Sequence, residues 1–246
     1  LTRVLDSLLI PENVPKNMQN EAAVIESYFV FAAVWAFGSG FTITDGVDMR
    51  KNFSSWWKSK WTRVKMPTKG QIYDFFVDKS TYKFTPWVQI VPTISYESTT
   101  PMDSVTVPTG ETQSITFFLD AFVELRYPAL LIGLAGAGKT AMIMGKLRSL
   151  GNEFMSLVMN FNYYTDGGGF RSMLEGPLEK KAGKNFGPPS NFSRLVYFVD
   201  DLNMPQLDPY ETQYAISLLR QYMDYQHWYD MTKLQLRIIQ NVQFLA

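Results

Sequence analysis

The sequence predicts an α/β domain built on a mostly parallel sheet with flanking helices, preceded by an α-rich N-terminal part. Three observations lead there. From Val105 onward, short apolar runs alternate with helical patterning, the order that yields a parallel sheet covered by helices. One apolar run stops at a glycine-rich stretch, Leu130 to Thr140, and a helical pattern starts immediately after it. Residues 1 to 100 carry longer helical patterns and then short strand-like runs.

In the N-terminal part, Glu21 to Phe37 has apolar residues at helical spacing, and Asp48 to Trp61 repeats that spacing with Phe53, Trp56, Trp57 and Trp61. Gln71 to Asp78 and Lys83 to Ile90 read as strands or a hairpin. Ser98 to Pro108 is rich in Ser, Thr and Pro and reads as a connector. Thr112 to Leu125 is a helix candidate, Ala129 to Gly133 a short buried strand, and Lys139 to Leu150 a helix opening at the glycine loop. Phe154 to Phe161 is a second strand and Phe170 to Lys181 a helix. Gly183 to Ser193 is a Gly/Pro/Asn loop, and Leu195 to Asp200 is a third strand ending in acid. Tyr210 to Tyr225 is a helix; Leu234 to Leu236 and Val242 to Leu245 are strand-like.

Composition narrows the function. The 246 residues hold 23 basic and 23 acidic side chains, a balance that points to neither a nucleic-acid nor a membrane-surface protein. Without cysteine there is no disulfide scaffold and no Cys-based zinc or redox site. The most apolar stretch, Tyr28 to Phe37, is too short to span a bilayer and reads as a buried helix. The chain starts at Leu1 without Met and ends at Ala246 inside an apolar run, so both ends read as cut from something longer.

The stretch Gly133-Leu134-Ala135-Gly136-Ala137-Gly138-Lys139-Thr140 fits G-x-x-x-x-G-K-[ST]. Glycines let such a loop curl so that successive N–H groups point at phosphate oxygens, and the helix that follows adds its N-terminal positive end. Lys139 would reach the β and γ phosphates, and Thr140 would place its hydroxyl on Mg²⁺. The bland alternative is a Gly-rich turn with an incidental lysine.

Leu195-Val196-Tyr197-Phe198-Val199-Asp200-Asp201 reads as the second half of such a site. Carboxyl ends of parallel strands converge on one crevice, so Asp200 would stand beside the loop and hold Mg²⁺. By itself an apolar run followed by two acids is also the pattern of a strand entering a turn. Asp201 occupies the position where many ATPases of this type carry Glu as the base that polarises water. Asp is one methylene shorter, and misplacement of a catalytic group costs rate steeply. The alternative role for Asp201 is to cap the following turn.

Phe198 to Pro205, then Leu219-Arg220-Gln221, Asp224-Tyr225, His227 to Asp230 and Thr232-Lys233-Leu234, resemble the third AAA+ module of an axonemal, outer-arm type dynein heavy chain. Pro177 to Gly183 and Gly187-Pro188-Pro189 extend the resemblance. Tyr28 to Gly38 and Phe53 to Trp57 resemble the small C-terminal lid of the preceding, second module. The resemblance implies residues 1–100 as that lid plus linker, and 101–246 as a truncated large P-loop AAA+ subdomain. It implies bound ATP or ADP with Mg²⁺, slow hydrolysis, and allosteric gating of microtubule release by a module that is not the main ATPase. The competing reading is a structural ring segment that holds ADP without turnover; an unrelated AAA+ remodelling ATPase fits less well after Asp200. Implied partners are neighbouring modules of the same chain, with intermediate and light chains and microtubules reached through the parent complex. No nucleic acid and no membrane are implied, and the location is the cytoplasm and cytoskeleton, in the axoneme of a cilium or flagellum. The family's polar sensor residue, the module's own lid and its arginine finger would fall beyond Ala246, so an isolated fragment should bind nucleotide poorly. Asp166-Gly167-Gly168-Gly169 departs from the Thr/Ser-rich stretch expected there.

Other features have plainer readings. His227, the single histidine, sits at an aromatic-rich helix end and packs or caps. Trp56, Trp57 and Trp61 read as core, not as a base-stacking face. Lys58, Lys60, Arg63 and Lys65 read as a solvated face, and Glu175, Glu179, Lys180 and Lys181 as helix-surface charges. Met142, Met144, Met155 and Met159 read as core filler.

Overall fold

The structure, a computed structural model, describes residues 1–14, 20–93 and 106–246. It divides into two compact units, Leu1–Ala121 and Phe122–Ala246. Residues 98–105 of the connector lie outside the described residues.

The first unit holds helices α1 (Thr2–Leu8), α2 (Glu21–Gly38) and α3 (Met49–Lys60). Two short antiparallel ladders join them, β1 (Ile43–Thr44) with β2 (Val47–Asp48), and β3 (Phe75–Val77) with β4 (Phe84–Pro86). Helix α2 is apolar on every side and buries Val24, Tyr28, Val30, Phe31, Ala33 and Val34, the behaviour of a core helix. At 18 residues it is longer than its most apolar stretch, and by length and composition alone it could cross a membrane; half of it is buried inside the unit. Asp48 caps α3 by accepting the Lys51 amide at 3.0 Å. The β3–β4 hairpin is shorter than its two sequence runs because 3₁₀ turns at Ile72–Asp74 and Trp87–Ile90 take up the flanks. Trp57 is buried, but Trp56 is 52% exposed, so the tryptophan cluster is core on one side only. Lys58 is not a solvated charge: its Nζ donates to the carbonyls of Pro67 and Gly70 at 2.8 and 2.7 Å, and burial lowers its pKa.

The next helix is α4 (Gly110–Glu124). Its Phe118 stacks on Phe31 and its Phe117 meets the same ring edge-on, while Val123 belongs to the core of the second unit.

The second unit is a three-stranded parallel sheet in the order β11 (Val242–Leu245), β8 (Arg194–Asp200), β5 (Phe154–Asn160). Helices α5 (Lys139–Arg148), α6 (Gly167–Glu175) and α7 (Tyr214–Tyr225) connect and flank it. Strand β8 is buried from Leu195 to Val199, as its unbroken apolar run requires of a central parallel strand. Around it Phe170, Leu174, Leu218, Tyr222 and Trp228 close one face, and Ile143 and Leu147 of α5 the other. Met159 is fully buried, whereas Met142, Met144 and Met155 are half-buried.

Several elements differ from the sequence expectation. Ala129 to Gly133 is not a strand: only Ala129 bridges Leu245, and the pairing ends where the Leu131 amide meets the Ala246 carbonyl. Ile132 is accordingly 88% exposed. Helix α6 starts earlier than Phe170, because Asp166 accepts the Gly169 amide at 2.6 Å and caps it. It also stops at Glu175, so Glu179 and Lys180 form a strand, β6 (Glu179–Lys180), instead of a helix surface. The 183–193 loop contains β7 (Asn185–Gly187), and Tyr210 to Gln213 precede α7 instead of joining it. His227 lies on β9 (His227–Tyr229), and the strand after it is β10 (Leu236–Ile239). These four form a second sheet, β6-β7-β10-β9, in which only the β7–β10 pair is parallel.

Candidate phosphate-binding site

The glycine loop and the acidic strand end meet in the second unit. They line one cavity of about 550 Å³, with Gly133, Ala135, Lys139 and Thr140 on one side and Asp200 and Asp201 on the other. A larger cavity, about 1060 Å³, lies wholly in the first unit between aromatic side chains such as Trp35, Tyr73 and Trp87; it includes none of the loop or acid residues.

The loop curls as its glycines require. Gly136 and Gly138 have φ of +76° and +81°, the left-handed region that side chains resist. Gly138 is the N-cap of α5, so the helix N-terminus opens directly onto the loop. Leu134 is 86% exposed, and the Ala137 amide donates to its carbonyl at 3.3 Å. Lys139 bends back along the loop and its Nζ donates to the Gly133 and Leu134 carbonyls at 3.0 and 2.8 Å. The ammonium therefore stands over the mouth of the curl, where a phosphate would compete for it.

Across the cavity, the Thr140 hydroxyl donates to Asp200 Oδ1 at 3.1 Å, a contact between residues 60 apart in sequence. The same Oδ1 accepts the Asp201 amide at 3.1 Å. A hydroxyl and a carboxylate in contact fit Mg²⁺, which takes one or two protein oxygens and completes its shell with phosphates and water. Among the described residues no group of three His, Cys, Asp or Glu could hold a metal unaided. Bound there, Mg²⁺ would neutralise charge on the phosphates.

Asp201 is exposed and left-handed, with φ of +54°. Short polar side chains tolerate that conformation best, which fits Asp at this position. Its carbonyl accepts the Met204 amide at 2.9 Å, closing a tight turn. Among the described residues its carboxylate makes no hydrogen bond, so it is free to reach water.

Two polar residues of the cavity have no site role assigned from sequence. Asn203 sits on the turn after the acids, and Gln213 is the N-cap of α7. Gln213 Nε2 donates to the Pro205 carbonyl at 2.5 Å and holds the turn from behind. The sequence pattern puts Gln213 inside a helix from Tyr210 to Tyr225, and nothing local marks it as the N-cap.

Two family models match the chain. The family model for a P-loop containing dynein motor region matches residues 94–246, and that for a dynein heavy chain AAA lid domain matches residues 1–89. A dynein alpha chain of the flagellar outer arm from Chlamydomonas reinhardtii is 49% identical over the whole chain. A ciliary dynein beta chain from Heliocidaris crassispina is 43% identical over the whole chain, and human dynein axonemal heavy chain 9 is 42% identical over 99% of it. The chain spans about 5% of the length of each of these relatives.

Proposed function

The chain belongs to the dynein heavy-chain family through its P-loop motor region, and we propose that it is a nucleotide-binding module of an axonemal motor. Residues 1–100 are the lid and linker of the preceding, second AAA+ module, and 101–246 the large subdomain of the third. The module binds ATP or ADP with Mg²⁺ and gates ATP-driven release from microtubules, next to neighbouring modules of the same heavy chain. Intermediate and light chains are partners of the parent complex in the axoneme of a cilium or flagellum.

The observation that carries this reading is the Thr140–Asp200 contact behind a glycine loop that ends in Lys139. Backbone N–H groups of residues 133 to 140 would cradle the phosphates. Lys139 would exchange two loop carbonyls for phosphate oxygens, and Thr140 with Asp200 would hold Mg²⁺. Phosphoryl transfer to water then rests on positioning and charge stabilisation. Asp201 is the carboxylate placed to polarise that water, and its short side chain supports slow turnover.

A second reading, ADP held without turnover, is favoured by one observation. The left-handed backbone at Asp201 fixes where a short carboxylate can reach. The test of gating is Lys139→Ala in the intact motor, followed by ATP-driven release from microtubules. Gating requires release to weaken while the main ATPase site still binds ATP. Normal release would leave the loop as a structural holder.

A further inference from the structure

The first residue of α7, Tyr214, is tied into a polar cluster that phosphate chemistry does not use. Arg171 of α6 is its centre, with a side chain only 11% exposed. Its Nη1 donates to the Tyr229 carbonyl of β9 at 2.5 Å, and its Nη2 to the Tyr214 hydroxyl at 3.0 Å. Glu175, one turn along α6, lies 3.8 Å from Nη1, accepts Trp228 Nε1 at 2.9 Å and pairs with Arg237 of β10 at 2.9 Å. Arg237 also pairs with Asp230, whose carboxylate accepts the Thr232 and Lys233 amides. The β9–β10 hairpin is thereby fastened to α6.

Tyr214 carries this cluster toward the nucleotide cavity. It is the first residue of α7, and its ring lies against Gly167, where any Cβ would overlap it. The residue before it, Gln213, faces the other way. Its carbonyl accepts the first helical amide, from Ser217, at 3.0 Å. Its side chain donates to the Pro205 carbonyl, and at 3.5 Å to that of Asn203. The start of α7 therefore holds the hairpin cluster with Tyr214 and the acidic turn with Gln213, the residue before it. Arginine suits such a junction because its planar fork fixes several acceptors at once, which a lysine cannot.

We propose that Arg171 and Tyr214 are positioning residues for Asp201, acting through Gln213 on the turn from Asp201 to Gln206. The links run from the Tyr229 carbonyl to the cavity, so a displacement of the hairpin reaches the acidic turn through these hydrogen bonds and the Gln213–Tyr214 peptide link. The inference rests on the reading of Asp200 and Asp201 as the acidic side of the nucleotide site.

The test uses the intact heavy chain with Tyr214→Phe, Arg171→Lys and the double variant; Gln213→Leu breaks the last link directly. Hydrogen exchange is read at the Met204 and Gln206 amides, which bond to Asp201 and Tyr163 carbonyls. Amides of β8 serve as the control for intact folding. Each single variant speeds exchange at Met204 and Gln206, leaves β8 unchanged, and the double variant adds little, as expected for one relay. Unchanged exchange at Met204 and Gln206 in both Tyr214→Phe and Arg171→Lys would overturn the relay. Turnover is then measured with the other nucleotide sites of the motor disabled. Positioning predicts a fall in kcat of about ten- to hundredfold with the Kd for ADP little changed. Faster exchange with unaltered kcat would also overturn it. If the unaltered site shows no turnover, the exchange result still decides the relay, and the catalytic reading of Asp201 falls instead.

Discussion

Two glycines of α5 give the most exacting test of the loop's physical basis, because one substitution should act with opposite sign at each. Gly138, the N-cap, has φ of +81°; Gly145 lies inside the helix with no such φ. A Cβ at either position meets nothing within 4 Å, so steric overlap contributes at neither. At Gly138 only the backbone penalty of a left-handed alanine remains, about 1–2 kcal/mol. At Gly145 alanine reduces the entropy of the unfolded chain and raises helix propensity, a gain of about 0.5–1 kcal/mol. The two variants should differ by about 1.5–3 kcal/mol, or roughly tenfold to a little over a hundredfold in an opening equilibrium. Hydrogen exchange of the buried β8 amides Val196 to Val199 reports opening of the second unit and avoids assuming that both units unfold together. Gly138→Ala should speed that exchange and Gly145→Ala should slow it. Equal effects, or a stabilising Gly138→Ala, would refute the claim that the loop is held in a conformation only glycine adopts freely.

Three further outcomes follow from the site and its surroundings. Thr140→Ala should weaken Mg²⁺-dependent nucleotide binding; identical affinity with and without the change removes its metal role. Asp201→Asn should keep nucleotide affinity while abolishing turnover at this site, and unchanged turnover means another group is the base. Asp230 has its pKa lowered to about 2, first by the Lys233 amide, then by Arg237 and the Thr232 amide. A depressed carboxylate stabilises the fold above its unfolded pKa and loses that contribution as pH falls through the folded value. Asp230→Asn should thus lower thermal stability at neutral pH, with the gap closing between about pH 4 and pH 2; a gap independent of pH in that window contradicts the assignment.

What the sequence made legible was whatever a single segment could encode. The glycine loop, the buried run of β8 and its terminal acids each carry their signal within ten residues or so. The second sheet was not legible, because its strands are two to four residues long and β7 pairs with β10 some 50 positions away. Periodicity has no purchase on segments that short, and Glu179-Lys180 after a helix looks like more helix. The β1–β2 hairpin does carry a local signal: Asp45-Gly46 is a two-residue turn with both φ values positive, the pairing such a hairpin favours. The Arg171–Glu175 pair shows its helical spacing in the sequence, but nothing there brings Arg237, Asp230 and Trp228 to it. Arg171 and Gln213 act through contacts that exist only once the sheet, α6 and α7 have packed.

The most direct measurement is the nucleotide content of the purified intact motor, with and without Lys139→Ala, under conditions where the ring is shown to stay folded. The account predicts the loss of one bound nucleotide per heavy chain. Unchanged stoichiometry would contradict the central claim that residues 133 to 140 hold phosphate.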